Sequence, residues 1–136
     1  SESDGMQISG SIQDNVVMFT ISIDDFDAKT IPQTLSEMTH QDLISMRNDT
    51  SYLDGVIESW LSLKNSFIGV QNQLLSAYAQ LGGSDSYSIQ TIINSSDGVK
   101  IFEFDGNNLI YNYWEKMEWY QYNRTQFLAD IDEILN

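Results

Sequence analysis

From Val56 to Leu81 an apolar residue recurs at alternating steps of four and three: Val56, Trp60, Leu63, Phe67, Val70, Leu74, Ala77 and Leu81. That spacing keeps one stripe facing one way for about seven helical turns. Ile57, Leu61, Ile68 and Leu75 widen the stripe. The sequence therefore predicts a long helix that is largely covered by other elements. Gly82-Gly83 supplies the left-handed residue that ends such a helix.

Strand signals flank it on both sides. Residues 7–23 read as two strands, with Ile8 and Ile12 on the first and Val17, Phe19, Ile21 and Ile23 alternating on the second. Gln13-Asp14-Asn15 between them is turn chemistry, because Asp and Asn tolerate left-handed backbone. Asp24 to Lys29 is a polar connector. Thr30-Ile31-Pro32-Gln33 has the form of a capping box with proline in the first turn, so a first helix is expected from about Thr30. Leu35, Met38, Leu43 and Met46 give it an apolar face, and Arg47-Asn48-Asp49-Thr50 breaks the pattern.

After the long helix comes a meander. Ile89–Ile93 and Val99–Phe104 pair across Asn94-Ser95-Ser96-Asp97-Gly98, and Asp105-Gly106-Asn107-Asn108 turns into 109–114. A last helix begins at Asn123, with Gln126 three residues on and Phe127, Leu128, Ile131, Ile134 and Leu135 to bury. The expected fold is α+β: an antiparallel sheet of about five strands with about three helices packed on it. The expected order is β-β-α-α(long)-β-β-β-α. Asn15–Ile21 resembles Asn107–Tyr113, and Thr30-x-x-Gln33 resembles Asn123-x-x-Gln126, at offsets of 92 and 93 residues. This faint repeat reads either as a duplication or as shared strand–helix order.

At 136 residues, 41% of them hydrophobic, the chain suits one domain with one core. Residues 7–136 are read as that domain, and residues 1–6 as a polar tether or expression remnant. There is no cysteine, which excludes disulfides and thiolate chemistry. Twenty acids against six bases give a net charge of −14. The bases Lys29, Arg47, Lys64, Lys100, Lys116 and Arg124 are scattered, so no cluster exists to neutralise phosphates, and nucleic acid is not an expected partner. No apolar run approaches the ~20 residues that span a bilayer. The chain opens on Ser1 rather than Met, which leaves room for a leader removed upstream.

Ile92-Ile93-Asn94-Ser95-Ser96-Asp97-Gly98-Val99-Lys100-Ile101-Phe102 resembles the strand, N-x-D-G, strand element of small lipoprotein-like domains of Gram-positive bacteria. Asp105-Gly106-Asn107-Asn108-Leu109-Ile110-Tyr111-Asn112-Tyr113 resembles their G-N-x-L-x-Y-x-Y strand, which a helix follows. The resemblance covers about residues 88–136. It implies an extracellular or cell-envelope setting, with a lipid anchor upstream of a Ser/Glu/Asp-rich tether such as Ser1–Gly5. It implies no activity, and the long helix has no counterpart in it.

Catalytic constellations are absent from the sequence. His40 is the sole histidine, and Asp42 two residues on faces another side of a helix. There is no G-x-S-x-G elbow to expose a serine. Asp24, Asp25 and Asp27 sit together, but an EF-hand counted from Asp25 would put Thr30 at the glycine position and Ser36 at the glutamate position. Glu103 and Glu115 are the best candidates for a facing carboxylate pair, with nothing in the spacing to favour them. N-x-S/T triplets at Asn48, Asn94 and Asn123 occur at about chance frequency. No metal, cofactor or catalytic residue is expected.

The dense aromatic segment is the one candidate site. Tyr111, Tyr113, Trp114, Trp119, Tyr120 and Tyr122 carry polar handles of the kind favoured at recognition surfaces. The alternative is a sheet face packed under helices. Too many rings lie in 109–122 for all to face one way, so Trp119 or Tyr122 is expected at the surface. The leading reading is a non-enzymatic extracytoplasmic domain that binds a protein or small ligand. The alternatives are a ligand-sensing domain of a membrane receptor and, with least support, a hydrolase with paired carboxylates.

Overall fold

The computed structural model describes residues 2–3, 5–80 and 88–136. Its strands are β1 (Glu2–Ser3), β2 (Met6–Gln13), β3 (Val16–Ile23), β4 (Ser88–Asn94), β5 (Lys100–Asp105) and β6 (Asn108–Asn112). Its helices are α1 (His40–Asn48), α2 (Ser51–Gln80), α3 (Glu115–Trp119) and α4 (Arg124–Leu135), with α1 and α2 between β3 and β4. The fold is α+β, as expected. Contacts group the chain into two compact units. A sheet unit comprises residues up to Thr30 and Lys64–Tyr113, and a helical unit comprises Ile31–Leu63 and Trp114–Asn136.

In the sheet unit the six strands lie in chain order. All neighbours are antiparallel except β3 and β4, which are parallel. The sheet is thus mixed rather than antiparallel. The β3–β4 connection carries α1 and α2, and parallel neighbours require such a crossover. Within each strand the period-two pattern is the same for either pairing, so the sequence did not distinguish them.

The turns follow from local chemistry. Asp14 and Asn15 both adopt positive φ, 51° and 65°, which makes the two-residue type I′ turn that suits strand twist. Gly106, at φ 59°, opens the β5–β6 turn. Val17 and Ile21 on β3 pair with Ile89 and Ile93 on β4, and Ile93 pairs with Phe102 on β5. These five side chains are buried. The part of α2 from Lys64 onward covers this face, setting the Phe67 ring 6.0 Å from that of Phe102.

Helix α2 is the longest element, at 30 residues, but it is not largely covered. Its buried positions are Leu53, Ile57, Trp60, Phe67 and Gln71, while Val56 and Ala77 are exposed. The buried arc has the same four-three spacing and shares Trp60 and Phe67 with the stripe read from the sequence, but it takes Ile57 and Gln71 where the stripe takes Val56 and Val70, one position away. Gln71 was not anticipated there: its Nε2 donates to the Gly106 carbonyl at 2.7 Å, and its Oε1 accepts from the Thr91 hydroxyl. The Gly82-Gly83 terminator and Leu81 lie outside the described residues.

In the helical unit the first helix starts later than Thr30. Residues 28–30 and 35–37 form single 3₁₀ turns, and α1 begins at His40. Thr30 uses its hydroxyl on the Asp27 carbonyl at 2.7 Å, so no capping box forms. Thr39 caps α1 instead, accepting from the Asp42 N–H at 3.1 Å. The last helix begins where expected, but Asn123 Nδ2 donates to the Trp119 carbonyl and Gln126 turns to Asp130. The helical half of the repeat therefore has no common structure in its two copies. Arg47 of α1 pairs with Asp132 of α4, and Arg124 of α4 pairs with Asp54 of α2. Leu43, Met46, Leu53, Ile57, Trp60, Met117, Phe127 and Ile131 form the core of this unit.

Candidate functional site

The aromatic segment divides between the two units. Tyr111 and Tyr113 belong to the sheet unit, and the other four rings belong to the helical unit. Tyr111 is exposed at the edge strand β6, with Lys100 Nζ 4.6 Å from its ring centroid. Lys100 also pairs with Glu103 at 2.6 Å. Tyr113 is half-buried and donates its hydroxyl to the Ala28 carbonyl at 3.0 Å.

In the helical unit, two rings serve the core and two face outward. Trp114 is 3% exposed; its Nε1–H donates to the Pro32 carbonyl at 2.8 Å and its ring lies 5.5 Å from that of Trp60. Tyr120 is buried edge-on to Phe127 and donates to Asp130 at 2.6 Å. Burial, then the hydrogen bond to Asp130, pushes the Tyr120 phenol well above its ordinary pKa. The same hydrogen bond holds the Asp130 carboxyl below the usual range.

Spacing explains the split. Residues three apart on a helical turn share a face, so Met117 and Tyr120 point inward together, while Trp119 and Tyr122 point outward. Trp119 is 42% exposed and Tyr122 81%. Lys116 stands over this pair of faces, its Nζ 4.6 Å from the Trp119 ring and 5.2 Å from the Tyr120 ring. Glu115, Lys116 and Trp119 line a shallow concavity beside it. The arrangement offers an aromatic face, a cation and a carboxylate to solvent. The ring quadrupole holds the Lys116 cation over the Trp119 ring, and the exposed part of that ring can stack.

The remaining candidates fall elsewhere. His40 is exposed at the first turn of α1. Glu103 is engaged with Lys100 in the sheet unit, and Glu115 is exposed on α3 in the helical unit. Asp27 accepts from the Ser96 hydroxyl at 2.7 Å, which makes it part of a loop clamp. Among the described residues, no group of three or more His, Cys, Asp or Glu side chains is placed to hold a metal ion. Among them, too, no helix is long and apolar enough to cross a membrane.

The centre of that clamp is Asp97, in the turn between β4 and β5. Its carboxylate accepts from the Ser95 hydroxyl and from the backbone N–H groups of Ala28 and Lys29, each at 3.0 Å. The Ser95 hydroxyl and then these N–H groups hold its pKa at about 2. Ser95 is two positions away, but the Ala28 and Lys29 N–H groups lie 69 and 68 positions away in sequence, so no local signal announces them.

No protein-family model matches the chain, and neither a curated protein nor a solved structure matches it.

Proposed function

We propose that this protein is a non-enzymatic recognition domain whose binding surface is the outward face of the Glu115–Tyr122 segment, centred on Trp119 and Tyr122. The observation that carries the reading is the exposure of two large rings, Trp119 and Tyr122, beside Trp114 and Tyr120, which are spent on the core. Isolated exposed apolar residues are ordinary; an exposed Trp and an exposed Tyr three positions apart are the residue types enriched at interface hot spots. Rings contribute contact area at low entropic cost, since each has only two side-chain torsions to fix. A protein partner fits better than a small ligand, because the concavity is shallow and small-molecule sites are usually enclosed. The hairpin resemblance supports an extracytoplasmic, membrane-tethered setting.

The test is a photoactivatable residue placed at Tyr122 and, as control, at exposed Tyr52. A discrete adduct formed in cells of the source from position 122 and not from position 52 is expected. Equal labelling from both positions overturns the reading.

A further inference from the structure

The eight residues of β2, Met6–Gln13, include no charged residue and no proline, in a chain of net charge −14. Sheet edges are ordinarily blunted by charges, proline or a covering segment. On the side away from β3, β2 meets the two-residue β1, which pairs with Met6 and Gln7. Among the described residues, no strand pairs with residues 9–13 on that side.

The Asp14-Asn15 turn fixes where the backbone groups of that edge point. Gln13 and Val16 flank a two-residue turn and so form a hydrogen-bonded pair. Bonded and non-bonded pairs alternate along an antiparallel ladder. Ser11, opposite Met18, therefore bonds to β3, while Gly10 and Ile12, opposite Phe19 and Val17, aim their N–H and C=O groups at the open edge.

Both faces beside this edge have character. On one, Ile12 is 65% exposed, and the Phe19 ring lies 3.4 Å from where a Cβ on Gly10 would stand. On the other, Ser11, Gln13, Asp14, Val16 and Met18 line a shallow concavity in which, among the described residues, Asp14 is the sole charge.

We propose that residues 9–13 of β2 are a docking edge for an extended segment of a partner protein in which apolar and basic residues alternate. Main-chain hydrogen bonds to Gly10 and Ile12 hold such a segment as an added strand, and its alternate side chains read the two faces. The apolar ones meet Ile12 and Phe19; the basic ones enter the concavity of Asp14. The net negative charge attracts a cationic segment and opposes a second copy of this chain.

The probe is a synthetic peptide of alternating valine and lysine, titrated into nitrogen-15-labelled protein. Saturable binding is expected, with amide-exchange protection at Gly10 and Ile12 rising about tenfold or more. Methylating alternate peptide nitrogens should abolish it. Asp14→Asn keeps the turn, since Asn also adopts positive φ, and should weaken binding about threefold or more through the lost charge. Ile12→Lys should weaken it as well by charging the edge. The proposal is overturned if the peptide does not saturate, if the methylated peptide binds equally, or if the responding amides lie on β6 or the helices. It is overturned equally if Gly10 and Ile12 are already protected in the protein alone, as monomer or as self-associated species.

Discussion

Trp60 and Trp114 lie with ring centroids 5.5 Å apart and planes tilted by 43°, both nearly inaccessible to solvent. Trp119, by contrast, is open. The three tryptophans of the chain should therefore separate spectroscopically. Trp119→Phe should remove the red-shifted, acrylamide-quenched part of the emission and leave a blue, poorly quenched remainder. Trp114→Ala should cost about 3–5 kcal/mol in denaturant melts, because it deletes buried volume and leaves the Pro32 carbonyl without its donor. Emission unchanged by Trp119→Phe would mean that this ring is buried.

Gln71 joins α2 to β4 and to the β5–β6 turn through Thr91 and Gly106. Gln71→Ala leaves the buried Thr91 hydroxyl without its acceptor and should cost about 1–3 kcal/mol. Gln71→Leu combined with Thr91→Val should recover part of that loss, since replacing both polar partners by apolar groups can be near neutral. A double-mutant cycle gives the coupling directly; strictly additive losses would show that the two side chains act independently.

The Asp97 clamp makes a prediction about pH. Its folded pKa of about 2 lies below the ~3.9 of an unfolded aspartate. The stabilisation is therefore complete above about pH 4 and is lost as pH falls through about 2. Asp130 and Asp132 are also lowered, by the Tyr120 hydroxyl and by Arg47, so they act in the same direction. Asp97→Asn should lower the urea midpoint at neutral pH, and the gap from the parent should close between about pH 4 and 2. A gap independent of pH would assign the effect to geometry rather than charge.

Much of the fold was legible because its signals are local. Asp14-Asn15 and Gly106 carry the backbone conformations their turns need, and the strands alternate around them. Helix α1 starts after Thr39 rather than at Thr30, because the Thr30 hydroxyl is engaged with the Asp27 carbonyl while that of Thr39 accepts from the Asp42 N–H, a difference the spacing of the residues does not carry. The parallel β3–β4 pairing was hidden because strand periodicity carries no direction. In the aromatic segment, the expectation of Trp119 or Tyr122 at the surface holds for both. The inward turn of Trp114 and Tyr120 depends on Pro32 and Asp130, which only the fold brings to them.

The central claim is that Trp119 and Tyr122 are present for binding and not for stability. The double variant Trp119→Ala/Tyr122→Ala tests it most directly, with stability and the position-specific adduct measured on the same protein; for this the photoactivatable residue moves to exposed Thr125. The account predicts a loss of no more than about 1 kcal/mol in denaturant melts, as for surface positions, together with loss of the adduct. A loss above about 3 kcal/mol, typical of emptied aromatic core sites, or an adduct that persists undiminished, would contradict it.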